Sequence, residues 1–154
     1  MTSKLPIGWM CLFPLTFLAG CSLSKPPVVA MEKFEVRLAQ SEQEEGLQEQ
    51  TAPESGAKIY VHPGVVITNS DIDDASYVQD ERGLPAVAIR FKKSSQKHIA
   101  KFSSGNIGKI AAIYVNGRLL SAPVIRSEFS EAAQITGHFK VEEAQHIARA
   151  ITAD

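Results

Sequence analysis

Residues 110–125 read IAAIYVNGRLLSAPVI: an apolar run, an Asn-Gly pair and a second apolar run. Asn and Gly both tolerate positive φ, so an Asn-Gly between two such runs is the strongest short-range signal for a tight type I′ hairpin. It commits this part of the chain to antiparallel sheet. Pro123 has no N–H to give a ladder, so the second strand is expected at a sheet edge or broken near that residue. A protruding tip and an open edge together make a candidate contact surface of Asn116, Gly117, Arg118, Ser121, Ala122 and Pro123. Such an edge can accept an added strand from a peptide. The plainer reading is that Asn-Gly makes the turn and the leucines fill the core.

The remaining pattern extends this sheet. Residues 34–39, FEVRLA, alternate, with Phe34, Val36 and Leu38 on one face and Glu35 and Arg37 on the other, which predicts a half-buried strand. Residues 41–56 are rich in Glu and without aromatics, and read as a solvated loop. Short strands are expected at 58–62 and 65–67, around Pro63-Gly64, followed by a polar turn at 69–74. Residues 75–80 and 85–91 can pair through a connection in which Gly83 supplies turn freedom. A short helix is expected over 94–103, capped by Ser94 or Ser95 and ended by Gly105-Asn106, with Ile99 and Phe102 inward. Residues 133–139 give another strand. Residues 141–151 give an amphipathic helix whose apolar face is Val141, Ala144, Ile147, Ala148 and Ile151. Hairpin strands with two helices predict an α+β fold: a mostly antiparallel sheet with two helices packed on one face.

Ahead of this body lies a different kind of segment. Lys4 is followed by the apolar run of residues 5–18, then Ala19, Gly20 and Cys21. The run is shorter than the ~20 residues that span a bilayer, and Pro6 and Pro14 interrupt it, so it reads as a signal peptide. Leu18-Ala19-Gly20-Cys21 resembles the lipobox of bacterial lipoproteins. That resemblance implies cleavage before Cys21, diacylation of its sulfur and membrane anchoring, which two acyl chains make stable. Ser22 follows where an Asp usually causes inner-membrane retention, which favours the outer membrane in a Gram-negative source. The other cysteine, Cys11, lies within the signal, so the body has no thiol for a disulfide, a Cys-based zinc site or a nucleophile. Residues 22–33 carry Pro26-Pro27 and read as an extended linker reaching at most about 40 Å. The chain thus divides into a signal peptide at 1–20, a tether at 21–33, a strand and acidic flexible loop at 34–57, and a compact domain at 58–154.

Taken together, several stretches of that domain resemble the head part of the first periplasmic domain of SecD, a membrane subunit that assists protein translocation. These are VVITNSDIDDA, GLPAVAIRF, FSSGNIGK, GKIAAIYVNGRLLSAPVIR and QITGHFKVEEAQHIA. Two departures stand out: Lys140 replaces the usual Thr or Ser before Glu-Glu-Ala, and SEFSEAA lacks glycine. The resemblance implies the fold, and contact with protein or extended polypeptide. It does not extend to the translocation motor, because the family's transmembrane helices have no counterpart before Asp154.

The side-chain chemistry is sparse. A net charge of -1 argues against nucleic acid as a partner. His62, His98, His138 and His146 lack the spacing of metal ligands. Asp71, Asp73 and Asp74 do not fit a calcium loop, since position twelve from Asp71 is Arg82. GNIGK lacks the spacing of a phosphate loop, and no Gly-x-Ser-x-Gly elbow occurs. No catalytic residue, metal or cofactor is expected. The leading expectation is a lipid-anchored extracytoplasmic module that holds a protein or polypeptide partner, as an accessory to secretion or envelope assembly. A small envelope hydrolase and an immunity or inhibitor lipoprotein are the alternatives.

Overall fold

The structure, a computed structural model, describes residues 31–152, so Leu18, Ala19, Gly20, Cys21 and most of the linker lie outside the described residues. Eight strands and two helices follow in order: β1 Phe34–Gln40, β2 Gln48–Thr51, β3 Lys58–Thr68, β4 Ile72–Gln79, β5 Pro85–Phe91, α1 Gln96–Gly105, β6 Ile110–Val115, β7 Arg118–Ser121, β8 Ala132–Thr136 and α2 Val141–Thr152. Among the described residues no helix is long and apolar enough to cross a membrane.

The strands form two sheets, β2-β3-β1-β6-β7 and β4-β5-β8, and every strand pairing is antiparallel. The α+β reading holds, with the sheet divided in two. Phe34, Val36 and Ile113 on one face of the larger sheet share a core with Val87, Ile89 and Ile135 of the smaller one. Ile99 and Phe102 of α1, and Ala144, Ile147, Ala148 and Ile151 of α2, enter that same core. Burying each large aliphatic side chain contributes roughly 1.5–3 kcal/mol, so this layer is the main source of stability.

The hairpin forms as its sequence demands. Asn116 and Gly117 take φ of 50° and 77°, and Val115 pairs with Arg118 across the turn. β7 is an edge strand and ends at Ser121, ahead of Pro123. Connection 80–84 also behaves as expected: Asp80 Oδ1 accepts from the N–H groups of Arg82 and Leu84 at 2.9 and 2.8 Å.

Four expectations are corrected. Glu35 is 7% exposed and not on a solvent face. β1 is the central strand of its sheet, and Ala39, Val61, Ala112 and Tyr114 make a second apolar layer on its other side. Lys33 Nζ and an Arg37 guanidinium nitrogen, 2.6 and 2.9 Å away, compensate the buried carboxylate. The two short strands around Pro63-Gly64 are one strand, β3. Val65 and Val61 of β3 oppose Arg37 and Ala39 of β1, so residues 62–64 bulge out opposite Leu38 and Pro63 needs no ladder partner. The acidic stretch contains β2, a polar edge strand paired to β3. Finally, Val141 is 39% exposed, and Ala150, not assigned to the apolar face, is fully buried.

The chain's path into β1 is fixed by asparagines. Asn69, in the turn after β3, accepts from Phe34 N–H at 2.8 Å and donates to the carbonyls of Glu32 and Ile151 at 2.8 and 3.1 Å. Asn116, at the hairpin tip, accepts from Lys33 N–H at 2.9 Å, and its own N–H donates to the Lys33 carbonyl at 2.8 Å.

Candidate functional site

The free edges of the two sheets are joined at Ser121 of β7 and Thr136 of β8. Ser121, the last residue of β7, is fully buried. Its hydroxyl lies 2.6 Å from the carbonyl oxygen of Thr136 on β8 and also contacts the Glu54 carboxylate. Glu54 in addition accepts from Ala122 N–H at 3.1 Å. Loop 52–57, β7 and β8 are thereby locked together.

Beyond this junction the edges diverge around an apolar cavity of about 280 Å³. Phe34, Val36 and Ile113 form one wall, and Ile89, Phe91 and Ile135 the other. Phe129 closes part of the mouth, its ring stacked on Phe91 with centroids 6.3 Å apart. The rim is Pro123, Val124, Arg126 and Gln134. The volume falls just under the ~300–1,000 Å³ of drug-sized sites, so it suits one or two inserted side chains better than a small molecule.

Both edges of the cleft carry free backbone groups. Phe91 N–H donates to the Glu131 carbonyl at 2.8 Å. Ladder bonds alternate in an antiparallel pair, so Ala133 and Ile135 face β5 while Ala132, Gln134 and Thr136 point away from it. On the opposite edge, Pro123 and Ile125 bond to the β6 side through Ala111, Lys109 and Gly108. The peptide groups of Val124 therefore point outward, and its side chain is 47% exposed.

The candidate residues named from sequence separate into three places. Asn116, Gly117 and Arg118 are exposed at the tip, where Arg118 pairs with Glu143 of α2 at 2.7 Å. Ser121 is withdrawn into the junction, with Ala122 beside it. Pro123 alone of the six lines the cleft. Sequence reasoning missed Val124, Arg126, Phe129 and Gln134. Val124, Arg126 and Phe129 follow Pro123 without any periodicity to mark them, and Gln134 lay in an expected strand whose position at a cleft no local pattern shows.

The titratable groups serve the fold. Ser95, Asp71 and His98 cluster, but the Ser95 hydroxyl and His98 Nε2 both approach Asp71 Oδ1, at 2.8 and 3.5 Å. The imidazole is therefore aimed at the carboxylate and not at the serine. Burial pushes the Asp71 carboxyl up, but the Thr68 N–H, the Ser95 hydroxyl and His98 outweigh it and hold it below the usual aspartate range. The Glu35 carboxyl is likewise lowered, chiefly by the hydrogen bond from Lys33. His62 lies in the β3 bulge, His138 is exposed and His146 sits 3.2 Å from Glu32. Among the described residues no three His, Cys, Asp or Glu side chains gather as metal ligands.

Two antiparallel sheets sharing one core with two helices, and parting at a cleft, define an α+β head-type module. The family model of the SecDF P1 head subdomain matches residues 43–154, and the chain belongs to that family. SecD of Aquifex aeolicus is 41% identical over 88 residues, which is 57% of this chain and 18% of that protein. SecD of Rhodobacter capsulatus is 36% identical over 89 residues, 57% and 16% of the two chains. SecDF of Thermus thermophilus is 39% identical over 84 residues, 54% and 11%. The chain thus spans less than a fifth of the length of these relatives. A solved structure of SecDF, a membrane component that enhances protein export, superposes with TM-score 0.64 at 26% identity, over 81% of this chain and 64% of that one. SecDF in its super-membrane-facing form gives the same score and identity over 81% and 19%.

Proposed function

We propose that this chain is a non-enzymatic, membrane-tethered extracytoplasmic module that contacts extended polypeptide, as an accessory to secretion or envelope assembly. The observation that carries the reading is the apolar cleft bounded by two free strand edges. An extended segment can pair with outward backbone groups at Gln134 or Val124 while placing a side chain between Phe91 and Ile113. Main-chain bonds along an edge give affinity without demanding a sequence, and a side-chain pocket adds selectivity. Membership of the SecDF P1 head family, whose relatives are translocase subunits, supports a partner of this kind.

The tether belongs to the same proposal. Residues 1–20 are removed, Cys21 carries the acyl chains, and the linker 22–33 delivers the chain to β1. Replacing Cys21 with Ser should release the protein from membranes washed at about 1 M salt, where charge contacts are screened; unchanged retention would sink this part.

The cleft is tested by photo-crosslinking in cells from Val124 and, as a comparison, from Arg118 at the tip. Adducts from Val124 with many exported polypeptides support the reading. A single dominant envelope protein would replace it with a dedicated partner, and adducts from Arg118 alone would move the contact to the hairpin tip.

A further inference from the structure

Charge is distributed unevenly along this chain. No Asp or Glu occurs between residues 92 and 127, a stretch that holds Lys92, Lys93, Lys97, Lys101 and Lys109. All five lysines are exposed. Among the described residues lysine ion pairs involve only Lys33 and Lys58, so these five have no carboxylate partner. α1 buries Ile99, Phe102 and Ser103 on its inner side and keeps Lys97 and Lys101, one turn apart, outside.

This arrangement is locally unfavourable. Like charges four residues apart on a helix repel. Lys92 and Lys93 precede the positive end of the helix dipole, and the first turn has no acid to offset them. The nearest carboxylate at that end, Asp71, is already engaged by Thr68, Ser95 and His98. At the far end of α1, Ile107 is 57% exposed, an aliphatic group presented beside Lys109. Five exposed lysines that make no ion pair, ending in a bare aliphatic residue, match a phosphate-covered apolar layer.

The place of this face in the molecule points the same way. Lys92 borders the same surface hollow as Met31 and Lys33, where the chain joins the fold. Residues 22–30 alone intervene between Cys21 and Met31, a reach of about 35 Å at most. A tether at Cys21 would therefore hold this end of the molecule near the bilayer, a step that rests on the lipoprotein reading above.

We infer that the exposed face of α1, with Lys92, Lys93, Lys97, Lys101 and Lys109, docks on anionic phospholipid. It supplies an electrostatic second attachment beside the acyl chains. A basic residue near an anionic bilayer strengthens binding by roughly fivefold. The contact is screened by salt, because the Debye length shrinks from about 10 Å at 0.1 M to 3 Å at 1 M.

The test uses the mature chain, residues 21–154, carrying Cys21→Ser, so that neither the apolar signal nor acylation plays a part. Flotation is compared on phosphatidylcholine vesicles and on vesicles containing phosphatidylglycerol. The expected result is at least a tenfold preference for the anionic vesicles at 0.1 M salt, lost near 1 M. Lys97→Gln with Lys101→Gln should reduce the preference about 30-fold or to nothing, with the thermal midpoint unchanged. If that variant does not fold, Lys109→Gln, outside the helix, takes its place with about a fivefold effect. Equal partition between the two vesicles, or a preference indifferent to the lysines, overturns the inference. Val124 crosslinking in the same variants reports separately on the cleft.

Discussion

The hydroxyl of Ser121 lies 2.6 Å from the carbonyl oxygen of Thr136 and joins the free edge of one sheet to the free edge of the other. It marks where the two edges stop touching and the cleft begins. Replacing Ser121 with Ala removes a fully buried hydroxyl whose single proton is shared between the Thr136 carbonyl and the Glu54 carboxylate, and Glu54 keeps only its bond from Ala122 N–H. The expected loss is about 1–3 kcal/mol in urea unfolding, with faster amide exchange at Ala122.

Asn69 supports three long-range bonds, to Phe34, Glu32 and Ile151. Asn69→Ala should cost about 2–3 kcal/mol, since a buried N–H and carbonyls lose their partner together. Hydrogen exchange locates the damage: the Phe34 amide should lose protection before those of β5.

Gly117 has a φ of 77°. Gly117→Ala imposes a left-handed conformation on a residue with a Cβ, at about 1–2 kcal/mol. Thermal unfolding should show that loss, and Val124 crosslinking should survive it, because the tip and the cleft are separate places.

Acid should weaken the fold for a defined reason. Glu35 and Asp71 have carboxyls held below their ordinary values of 4.5 and 3.8. A depressed carboxylate stabilises the folded state above its ordinary value, and that contribution is lost as pH falls through the lower folded value. The urea midpoint should therefore be flat from about pH 7 to 5 and fall below about 4.5. Glu35→Gln should lower the midpoint at pH 7 and shallow the acid decline; an unaltered acid limb would refute this account.

Ala133 lines the cavity on the β8 side. Ala133→Phe should fill part of it and reduce Val124 adducts at least fivefold. The accompanying strain is at most about 1–3 kcal/mol, measurable by urea unfolding. Undiminished adducts would show that partners do not enter the cavity.

What the sequence revealed was local. The hairpin at 110–121 was legible because Asn116-Gly117 admits few backbones. α1 was legible because Ser95, Ile99 and Phe102 fall at helical spacing between clear stops. β2 was not, because Gln48–Thr51 is a polar edge strand with nothing to bury, stabilised only by β3. Glu35 misled because its neighbours alternate, and its burial depends on strands far along the chain. The division into two sheets, and the cleft that results, depend on which of β1 and β5 each later strand joins. β8 follows β7 in sequence yet pairs with β5, a choice made by tertiary packing that no window of residues contains.

The position of β1 has a mechanical consequence. Pull transmitted through Glu32 and Lys33 arrives at the middle strand of its sheet, along the strand's own axis. Its ladder bonds to β3 and β6 run across that direction, so they resist in shear and must yield together. A strand at the rim would unzip one bond at a time. Under the proposed tether, a polypeptide pulling on the cleft would load β1 in shear and would not unravel the domain from that end.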